Sequence, residues 1–270
     1  MNLTAVSALH YSSEQLSAFL GECFEGYRIP ISLTPERFAL RFGAEDISLT
    51  DSCVWWEGEK LVAIALITRR TESARLAAFA LRPAYRGNGV SKRLLVPLID
   101  RLKAKGVQQM WLEVLADNQA GIGLYRSVGF EQQRVLRGYQ GNTFTAIPEN
   151  LLRECNPLEL LWRSVAEVKN TLPWQLDPLC VITLPCRAFE YRKHAYAAIS
   201  TLMDAPQLRF LYVEPEYRHK GFAREMLITL NHHFPGLTTS VAVPESFTPL
   251  FSSAGYCTMN ISQIEMRAML

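Results

Sequence analysis

The chain has 270 residues, of which 49% are hydrophobic and 20% charged, and this composition is typical of a folded globular protein. Its formal net charge of +2 is too small to favour nucleic acid as a partner. The six cysteines form no CxxC pair and have no zinc-ligand spacing with histidine, so we expect neither a disulfide framework nor a metal site.

The N-terminal segment lacks the basic start and the long apolar core of a signal peptide. No apolar run in the sequence approaches the ~20 residues that are needed to span a bilayer. We therefore expect a soluble, reduced, cytoplasmic protein that has no membrane partner.

The first half of the sequence predicts alternating strands and helices. A strand is expected at residues 3–9, and a helix begins near Ser12 or Ser13. A second helix begins near Thr34, a capping residue followed by proline at the first helical position. The later elements are a hairpin of strands 54–56 and 60–68, a strand at 75–81, a helix ended by Gly106, a strand at 109–115, a helix at 120–128 and a last hairpin after Phe130.

One segment of the sequence occurs twice. Pro83-Ala-Tyr-Arg-Gly-Asn-Gly89 returns 132 positions later as Pro215-Glu-Tyr-Arg-His-Lys-Gly221, each time after an apolar run and before an amphipathic helical pattern. A strand that enters a basic glycine turn and opens a helix can hold phosphate through backbone N–H groups. The repeat therefore predicts two versions of one ligand-binding domain, with a boundary near Pro148 that gives domains 1–148 and 149–270.

The second half is expected to be shorter at its front than the first. A helical piece is predicted at 158–168, and strands are predicted near 178–184, 187–191 and 195–201. The repeated strand, turn and helix follow. At the offset of the repeat, the apolar positions Leu94, Leu95 and Leu98 fall on Met226, Leu227 and Leu230.

Two motifs at fixed spacing resemble those of the GNAT N-acetyltransferases. Pro83-x-Tyr-Arg86-x-x-Gly89-x-Ser91 is followed by Asn118-x6-Tyr125-x3-Gly129-Phe130. The family's pyrophosphate signature is Gln/Arg-x-x-Gly-x-Gly/Ala, which the second copy fits fully and the first fits except at Ser91. The resemblance implies an α/β (α+β) fold of two GNAT-like domains. Each is expected to be a mixed, mostly antiparallel twisted sheet flanked by helices, the second truncated and degenerate.

The resemblance also implies a site for acetyl-CoA as co-substrate, without a metal. The end of the strand before the turn would pair with the cofactor arm, and the backbone N–H groups of the turn would hold its phosphates. Asn118 would bind the arm or an ordered water, or cap the short helix. In the first copy the implied cofactor-binding residues are Ala80, Leu81, Arg82, Arg86, Gly87, Asn88, Gly89, Val90, Ser91 and Asn118. In the second copy they are Val213, Arg218, Gly221 and Ala223.

Tyr125 is the candidate general acid, because a phenol with an ordinary pKa near ~10 keeps a proton for the departing sulfur at neutral pH. The alternative is a tyrosine packed between helix and sheet. Glu113 is a candidate general base, and the alternative is a glutamate that faces solvent. In the second copy Phe251 aligns with Tyr125 and Pro244 with Asn118. The first domain is therefore expected to be catalytic and the second degenerate.

The resemblance implies transfer of an acetyl group from acetyl-CoA to an amine of a small molecule or peptide. The loop that starts at Phe24, with Tyr27 and Arg28, is expected to line the acceptor pocket or to pack in the core. The alternatives are a non-catalytic CoA-binding sensor or scaffold, and an enzyme whose active domain is the C-terminal one. The chain is expected to be a monomer with pseudo-dimeric tandem domains, or a homodimer.

Overall fold

The computed structural model describes residues 2–29, 31–142, 152–165, 172–202 and 205–270. The chain divides into two compact units. Unit 1 consists of Met1–Gln133 and Glu265–Leu270, and unit 2 consists of Arg134–Ile264. The domain boundary predicted near Pro148 lies outside the described residues and stays a prediction.

Unit 1 contains a mixed sheet with helices. Its strands are β1 (Thr4–Ser7), β2 (Cys53–Glu57), β3 (Lys60–Arg70), β4 (Ser73–Leu81) and β5 (Gln109–Leu115). Its helices are α1 (Ser13–Cys23), α2 (Pro35–Ala44), α3 (Val90–Ala104) and α4 (Gln119–Ser127). The first four strands pair antiparallel in chain order, and β5 joins β4 in parallel.

The helices of unit 1 begin where the sequence predicts. The Ser12 hydroxyl accepts a hydrogen bond from the Gln15 backbone N–H, and the Gln15 side chain returns one to the Ser12 N–H, which forms a capping box at the start of α1. Thr34 caps α2, and Pro35 occupies its first position. Both helices pack against β3 through a buried cluster. That cluster includes Leu16, Leu20, Phe38, Phe42, Ile64 and Leu66.

Unit 2 repeats this order of elements with shorter helices at its front. Its strands are β6 (Glu131–Gly141), which begins in unit 1, and then β7 (Leu152–Cys155), β8 (Cys186–Tyr191), β9 (Ala195–Ser200), β10 (Gln207–Val213), β11 (Thr238–Thr239), β12 (Val243–Pro244) and β13 (Tyr256–Met269), which ends in unit 1. Its helices are α5 (Pro157–Ser164), α6 (Pro178–Thr183), α7 (Phe222–His233) and α8 (Thr248–Ser253).

The sheet of unit 2 is also mixed and mostly antiparallel. Strands β7 to β10 pair antiparallel in sequence, β11 is parallel to β10, and β6 lies antiparallel to β11 and β12. The apolar positions of α7 that match α3 through the repeat are all buried, as are their counterparts. The predicted α/β fold class of two related domains is therefore confirmed.

Two local predictions are wrong. Residues 178–183 form helix α6 rather than a strand, because the Asp177 carboxylate accepts from the Leu179 N–H at 2.9 Å and Pro178 occupies the first helical position. The hairpin expected after Phe130 is not seen in the described residues. Instead β6 is one long strand, and its Leu136 and Arg137 pair with β12.

In the described parts of the chain, no helix combines the length and apolarity that a membrane crossing requires.

Candidate active site

Strands β4 and β5 of unit 1 are paired over only part of their length. Their parallel register runs from Ser73 opposite Gln109 to Leu76 opposite Leu112, although the strands continue to Leu81 and Leu115. On its other edge β4 stays paired with β3 as far as Leu81. Residues 77–81 therefore present one strand edge beyond the end of the register, where an extended ligand can add backbone hydrogen bonds.

The predicted phosphate turn follows this strand directly. A short 3-10 helix, Pro83–Tyr85, leads into residues 86–89, and Gly89 is the N-terminal capping residue of α3. Gly87 and Gly89 have φ of 82° and 69°, which glycine adopts at low cost. A Cβ built on either glycine would meet nothing within 4 Å, so the space in front of the turn is open.

The start of α3 favours an anion electrostatically. The first N–H groups of a helix have no partner within the helix and point along its axis. The first turn of α3 contains no acidic residue. Val90 is buried and anchors this turn, while Asn88 is exposed and Ser91 is half-buried. The predicted residues from Gly87 to Ser91 thus form an open turn at the N-terminus of α3, whose dipole favours an anion.

The Arg86 side chain is engaged by backbone carbonyl groups. Its Nε donates to the Leu81 carbonyl at 3.0 Å, and one terminal nitrogen donates to the carbonyls of Cys23 at 3.0 Å and Glu25 at 2.7 Å. The guanidinium therefore joins the end of β4 to the end of α1 and the loop after it. The Arg86 backbone N–H is also engaged, since it donates to the Pro83 carbonyl at 3.2 Å.

The three predicted residues at the end of β4, Ala80, Leu81 and Arg82, make different contacts with the rest of unit 1. The Arg82 N–H donates to the Val62 carbonyl at 2.9 Å, and its guanidinium forms an ion pair with Glu22 of α1. Leu81 is buried, and Ala80 packs against the cluster beneath α1 and α2. These contacts hold the strand end between β3 and α1.

Asn118 and Tyr125 lie at the start and near the end of helix α4. Asn118 caps this helix, since its Oδ1 accepts from the Gly121 N–H at 2.9 Å, and its Nδ2 donates to the Tyr27 hydroxyl at 3.0 Å. Tyr125 is half-buried, and its ring packs edge to face on Phe130 with centroids 6.0 Å apart. Burial and then the neighbouring Tyr27 phenol raise the pKa of Tyr125, so it keeps its proton at neutral pH.

Tyr27 is a member of this site that sequence reasoning placed only in the acceptor loop. It lies between α1 and α2, where Phe24 packs edge to face on it at 5.3 Å. The next residue, Arg28, forms an ion pair with Asp117, which precedes Asn118. The loop after α1 is therefore attached at two adjacent points to the segment that opens α4.

Glu113 lies just past the last residue of β5 that pairs with β4, but it does not face solvent. Its side chain is 5% exposed, and both carboxylate oxygens accept from the Nε of Arg75 at 3.0 and 2.8 Å. Arg75 also pairs with Glu45 at 2.7 Å. Burial alone lowers the pKa of Arg75, but the two carboxylates outweigh burial and raise it. A substrate amine would have to compete with this guanidinium for Glu113.

The turn in unit 2 has the same backbone shape as the turn in unit 1. His219 and Gly221, with φ of 60° and 91°, stand where unit 1 has Gly87 and Gly89. The Arg218 Nε donates to the Val213 carbonyl at 3.0 Å, as Arg86 does to Leu81. Ala223 lies in the first turn of α7, as predicted for the small position of the signature.

A carboxylate distinguishes the second turn from the first. Glu225 lies in the first turn of α7, and its Oε1 is 3.8 Å from the position that a Cβ on Gly221 would occupy. Its Oε2 accepts from the Tyr191 hydroxyl at 3.0 Å and lies 3.9 Å from Arg192. The repeat places Arg93 at the corresponding position of α3. The helix N-terminus of unit 2 thus has its own anion beside it.

The second unit also lacks the phenol at the position of Tyr125. Phe251 is 4% exposed and lies in the core of unit 2. The edge-to-face pair of Tyr125 and Phe130 has its counterpart in Phe251 and Tyr256, with the hydroxyl on the other ring. That hydroxyl donates to the Leu227 carbonyl at 3.1 Å.

Within the described residues no group of three or more His, Cys, Asp or Glu side chains could hold a metal ion.

Comparisons with known proteins identify the family. Residues 15–130 match the acetyltransferase (GNAT) family. The chain is 39% identical over 84 residues to the ribosomal protein bS18-alanine N-acetyltransferase of Escherichia coli (strain K12), a match that covers 31% of this chain and 57% of that enzyme. The chain therefore spans little more than half the length of this relative.

Solved structures extend the likeness in fold to nearly the whole chain. A GCN5-related N-acetyltransferase from Sphaerobacter thermophilus has a TM-score of 0.67 at 11% identity, covering 99% of this chain and 95% of its own. A tandem GNAT protein from the clavulanic acid biosynthesis pathway has a TM-score of 0.65 at 13% identity, covering 99% and 98%. Residues 15–130 therefore belong to the GNAT acetyltransferase family, and the whole chain has the fold of the tandem GNAT protein.

Proposed function

We propose that unit 1 transfers an acetyl group from acetyl-CoA to a primary amine in the cytoplasm. The observation that carries this proposal is the end of the β4–β5 register at Leu76 and Leu112, directly before an open glycine turn. An extended strand edge and a helix N-terminus in series match a ligand with a peptide-like arm and a diphosphate.

The turn, the edge of β4, Tyr125 and Asn118 then have separate roles. The N–H groups from Gly87 to Ser91 hold the diphosphate, and the free edge of β4 pairs with the arm. Acetyl-CoA supplies the acetyl group as a thioester. The amine forms a bond to the thioester carbonyl carbon, the carbon–sulfur bond breaks, and the proton that the amine loses goes to solvent. Tyr125 gives its proton to the departing sulfur and is reprotonated from solvent, and its raised pKa keeps the proton in place before the transfer. Asn118 holds the start of α4 beside this phenol.

Unit 2 is proposed to be a degenerate copy that does not turn over. Glu225 puts a negative charge beside the turn on which a phosphate would have to bind. Phe251 has no proton to give, and its ring is enclosed in the core. Both changes affect groups that the proposed chemistry requires, while the fold around them is kept.

The acceptor is proposed to be the α-amine of a peptide that begins with alanine. The named action of the Escherichia coli relative on a ribosomal protein alanine supports this choice. That match leaves more than two thirds of this chain uncovered, so amines of small molecules belong in the same screen. Tyr27 and Arg28 belong to the loop that would border such an acceptor.

Calorimetric titration of acetyl-CoA into the parent chain, Gly89→Glu and Gly221→Glu tests the proposal. Both substitutions place a carboxylate at a glycine of positive φ, so each is the control for the backbone strain in the other. We expect one site per chain that only Gly89→Glu abolishes, followed by mass-spectrometric detection of acetyl transfer to an alanine-initiated peptide. Loss of binding only with Gly221→Glu would assign the activity to unit 2, and binding without any turnover would favour a sensor.

A further inference from the structure

We infer that Arg86 is a positioning residue that couples the turn of residues 86–89 to the loop of residues 24–29. A nucleotide bound on the turn then holds this loop, and with it Tyr27, in place at the acid site, by which we mean Tyr125, Asn118 and Tyr27. The inference rests on the proposed function of unit 1. It assigns to the Arg86 side chain a role that the phosphate signature, which concerns the backbone of the turn, does not include.

The first step is the set of carbonyl groups that Arg86 binds. Cys23 is the last residue of α1, and Glu25 follows the C-terminal capping residue Phe24. Carbonyl groups at a helix C-terminus lack partners within the helix and carry partial negative charge, so a guanidinium is favourable there. The third carbonyl belongs to Leu81 at the end of β4. One side chain therefore joins two segments, residues 23–25 and the end of β4, to the turn that carries Arg86.

The second step leads from the loop to the acid site. The Tyr27 N–H donates to the Phe24 carbonyl at 3.0 Å, which closes the loop into a tight turn next to the Arg86 contacts. The Tyr27 hydroxyl accepts from Asn118, and Arg28 pairs with Asp117. A loop that moves away from Arg86 would therefore carry Tyr27 away from Asn118 and Tyr125.

The third step is the effect of a ligand on Arg86. Its backbone belongs to the turn, since its N–H donates to the Pro83 carbonyl at 3.2 Å and Gly87 follows it. A phosphate bound to the turn restricts the backbone that carries Arg86. The side chain then loses less freedom when it binds Cys23 and Glu25, so ligand and loop order stabilise each other. Such coupling is reciprocal.

Arg218 of unit 2 provides a matched control. It holds the same position in the repeated signature, and its Nε donates to the carbonyl five residues earlier, as the Nε of Arg86 does. A substitution there makes the same chemical change in a turn that the proposed function leaves without a nucleotide. Any general effect of losing an arginine from such a turn appears in both variants.

Hydrogen–deuterium exchange with CoA as the probe tests the coupling without an acceptor. CoA binding is measured by calorimetry in the parent, Arg86→Gln, Arg86→Lys and Arg218→Gln, and exchange is followed in peptides that cover residues 24–29. We expect CoA to slow exchange in this loop about fivefold or more in the parent and in Arg218→Gln. In Arg86→Gln we expect CoA to bind without this slowing.

Equal slowing in Arg86→Gln would overturn the coupling and leave the proposed function standing. A parent chain that binds no CoA would overturn both. If Arg86→Gln alone fails to bind or to fold, Arg86→Lys decides, because lysine keeps the charge but lacks the planar group that reaches three carbonyls. Binding by Arg86→Lys without slowing supports the inference. Loss of binding in both variants would mean that the side chain contacts the nucleotide directly, and would overturn it.

Discussion

The ring of Phe251 is stacked on the ring of Tyr139, with centroids 4.2 Å apart and planes 7° from parallel. Through the repeated Leu-x-x-Ser-x-Gly pattern, Phe251 stands where unit 1 has Tyr125. The Tyr139 hydroxyl is hydrogen-bonded to Thr248 at 2.7 Å, and Tyr256 covers another side of Phe251. The position that is proposed to carry a proton in unit 1 is thus a packing position in unit 2.

We therefore expect Phe251→Ala to affect stability. Removing a buried, stacked ring lowers the free energy of unfolding by about 3–5 kcal/mol. Urea unfolding followed by fluorescence measures the change, and acetyl-CoA titration of the folded variant should still find the site of unit 1. A change below about 1 kcal/mol would mean that the ring does not contribute to the core as its burial indicates.

The variant Tyr125→Phe, in contrast, should affect activity rather than stability. It keeps the ring that packs on Phe130 but removes the proton, so we expect kcat to fall about 10²–10⁴-fold while acetyl-CoA affinity is unchanged. The reaction requires protonated Tyr125, and its pKa is raised, so the parent should lose activity through this group only as the pH rises above about 10. A basic limb below that pH that disappears in Tyr125→Phe would contradict this assignment.

Two glycines of α4 give a sharper test of Asn118. A Cβ on Gly121 would lie 2.6 Å from Asn118 Nδ2, whereas a Cβ on Gly123 would meet nothing within 4 Å. Gly121→Ala should therefore push the amide from its place and lower kcat on the order of 10²-fold, since small misplacements near the chemistry are costly. Gly123→Ala should keep full activity and gain about 0.4–1 kcal/mol of stability. Equal activity in the two variants would contradict a role for the Asn118 amide.

Local sequence was sufficient to predict the turn and the short helix that carries Tyr125. Gly87 and Gly89 need positive φ, and such requirements are set by neighbouring residues. In unit 2, His219 has the same positive φ without being glycine. The strand predicted at 178–184 was wrong because Asp177 caps a helix there and Pro178 occupies its first position, although the residues that follow are apolar.

The remaining features of the site depend on residues that are distant in sequence. Tyr27 and Asn118 are 91 residues apart, and Arg75 and Glu113 are 38 apart. No periodicity or motif links such pairs, since the contacts arise only when the helices and strands pack. The sequence places Glu113 on β5, but it does not identify Arg75 as the partner of its carboxylate.

Exchanging the charges at positions 93 and 225 tests why only the turn of unit 1 is proposed to bind acetyl-CoA. Arg93→Glu gives α3 the carboxylate that Glu225 gives α7, so acetyl-CoA affinity should fall about tenfold at low salt and less at high salt. Glu225→Arg is the reciprocal control and should leave the affinity of the unit 1 site unchanged. Calorimetry at two salt concentrations measures both. An affinity that is insensitive to Arg93→Glu would remove the electrostatic explanation.

The ion cluster of Arg75, Glu45 and Glu113 gives the last prediction. Arg75 is fully buried between two carboxylates whose side chains are 2% and 5% exposed. Arg75→Met would leave the Glu113 carboxylate without its cation and remove the closer of the two arginines beside Glu45, which also pairs with Arg41 at 3.6 Å. We therefore expect the free energy of unfolding to fall by about 3–5 kcal/mol. The double variant Arg75→Met/Glu113→Gln removes the unpaired charge of Glu113 and should recover part of that loss in urea unfolding. If the double variant were less stable than Arg75→Met, Glu113 would be stabilised by groups other than Arg75, and a substrate amine would face less competition for its carboxylate.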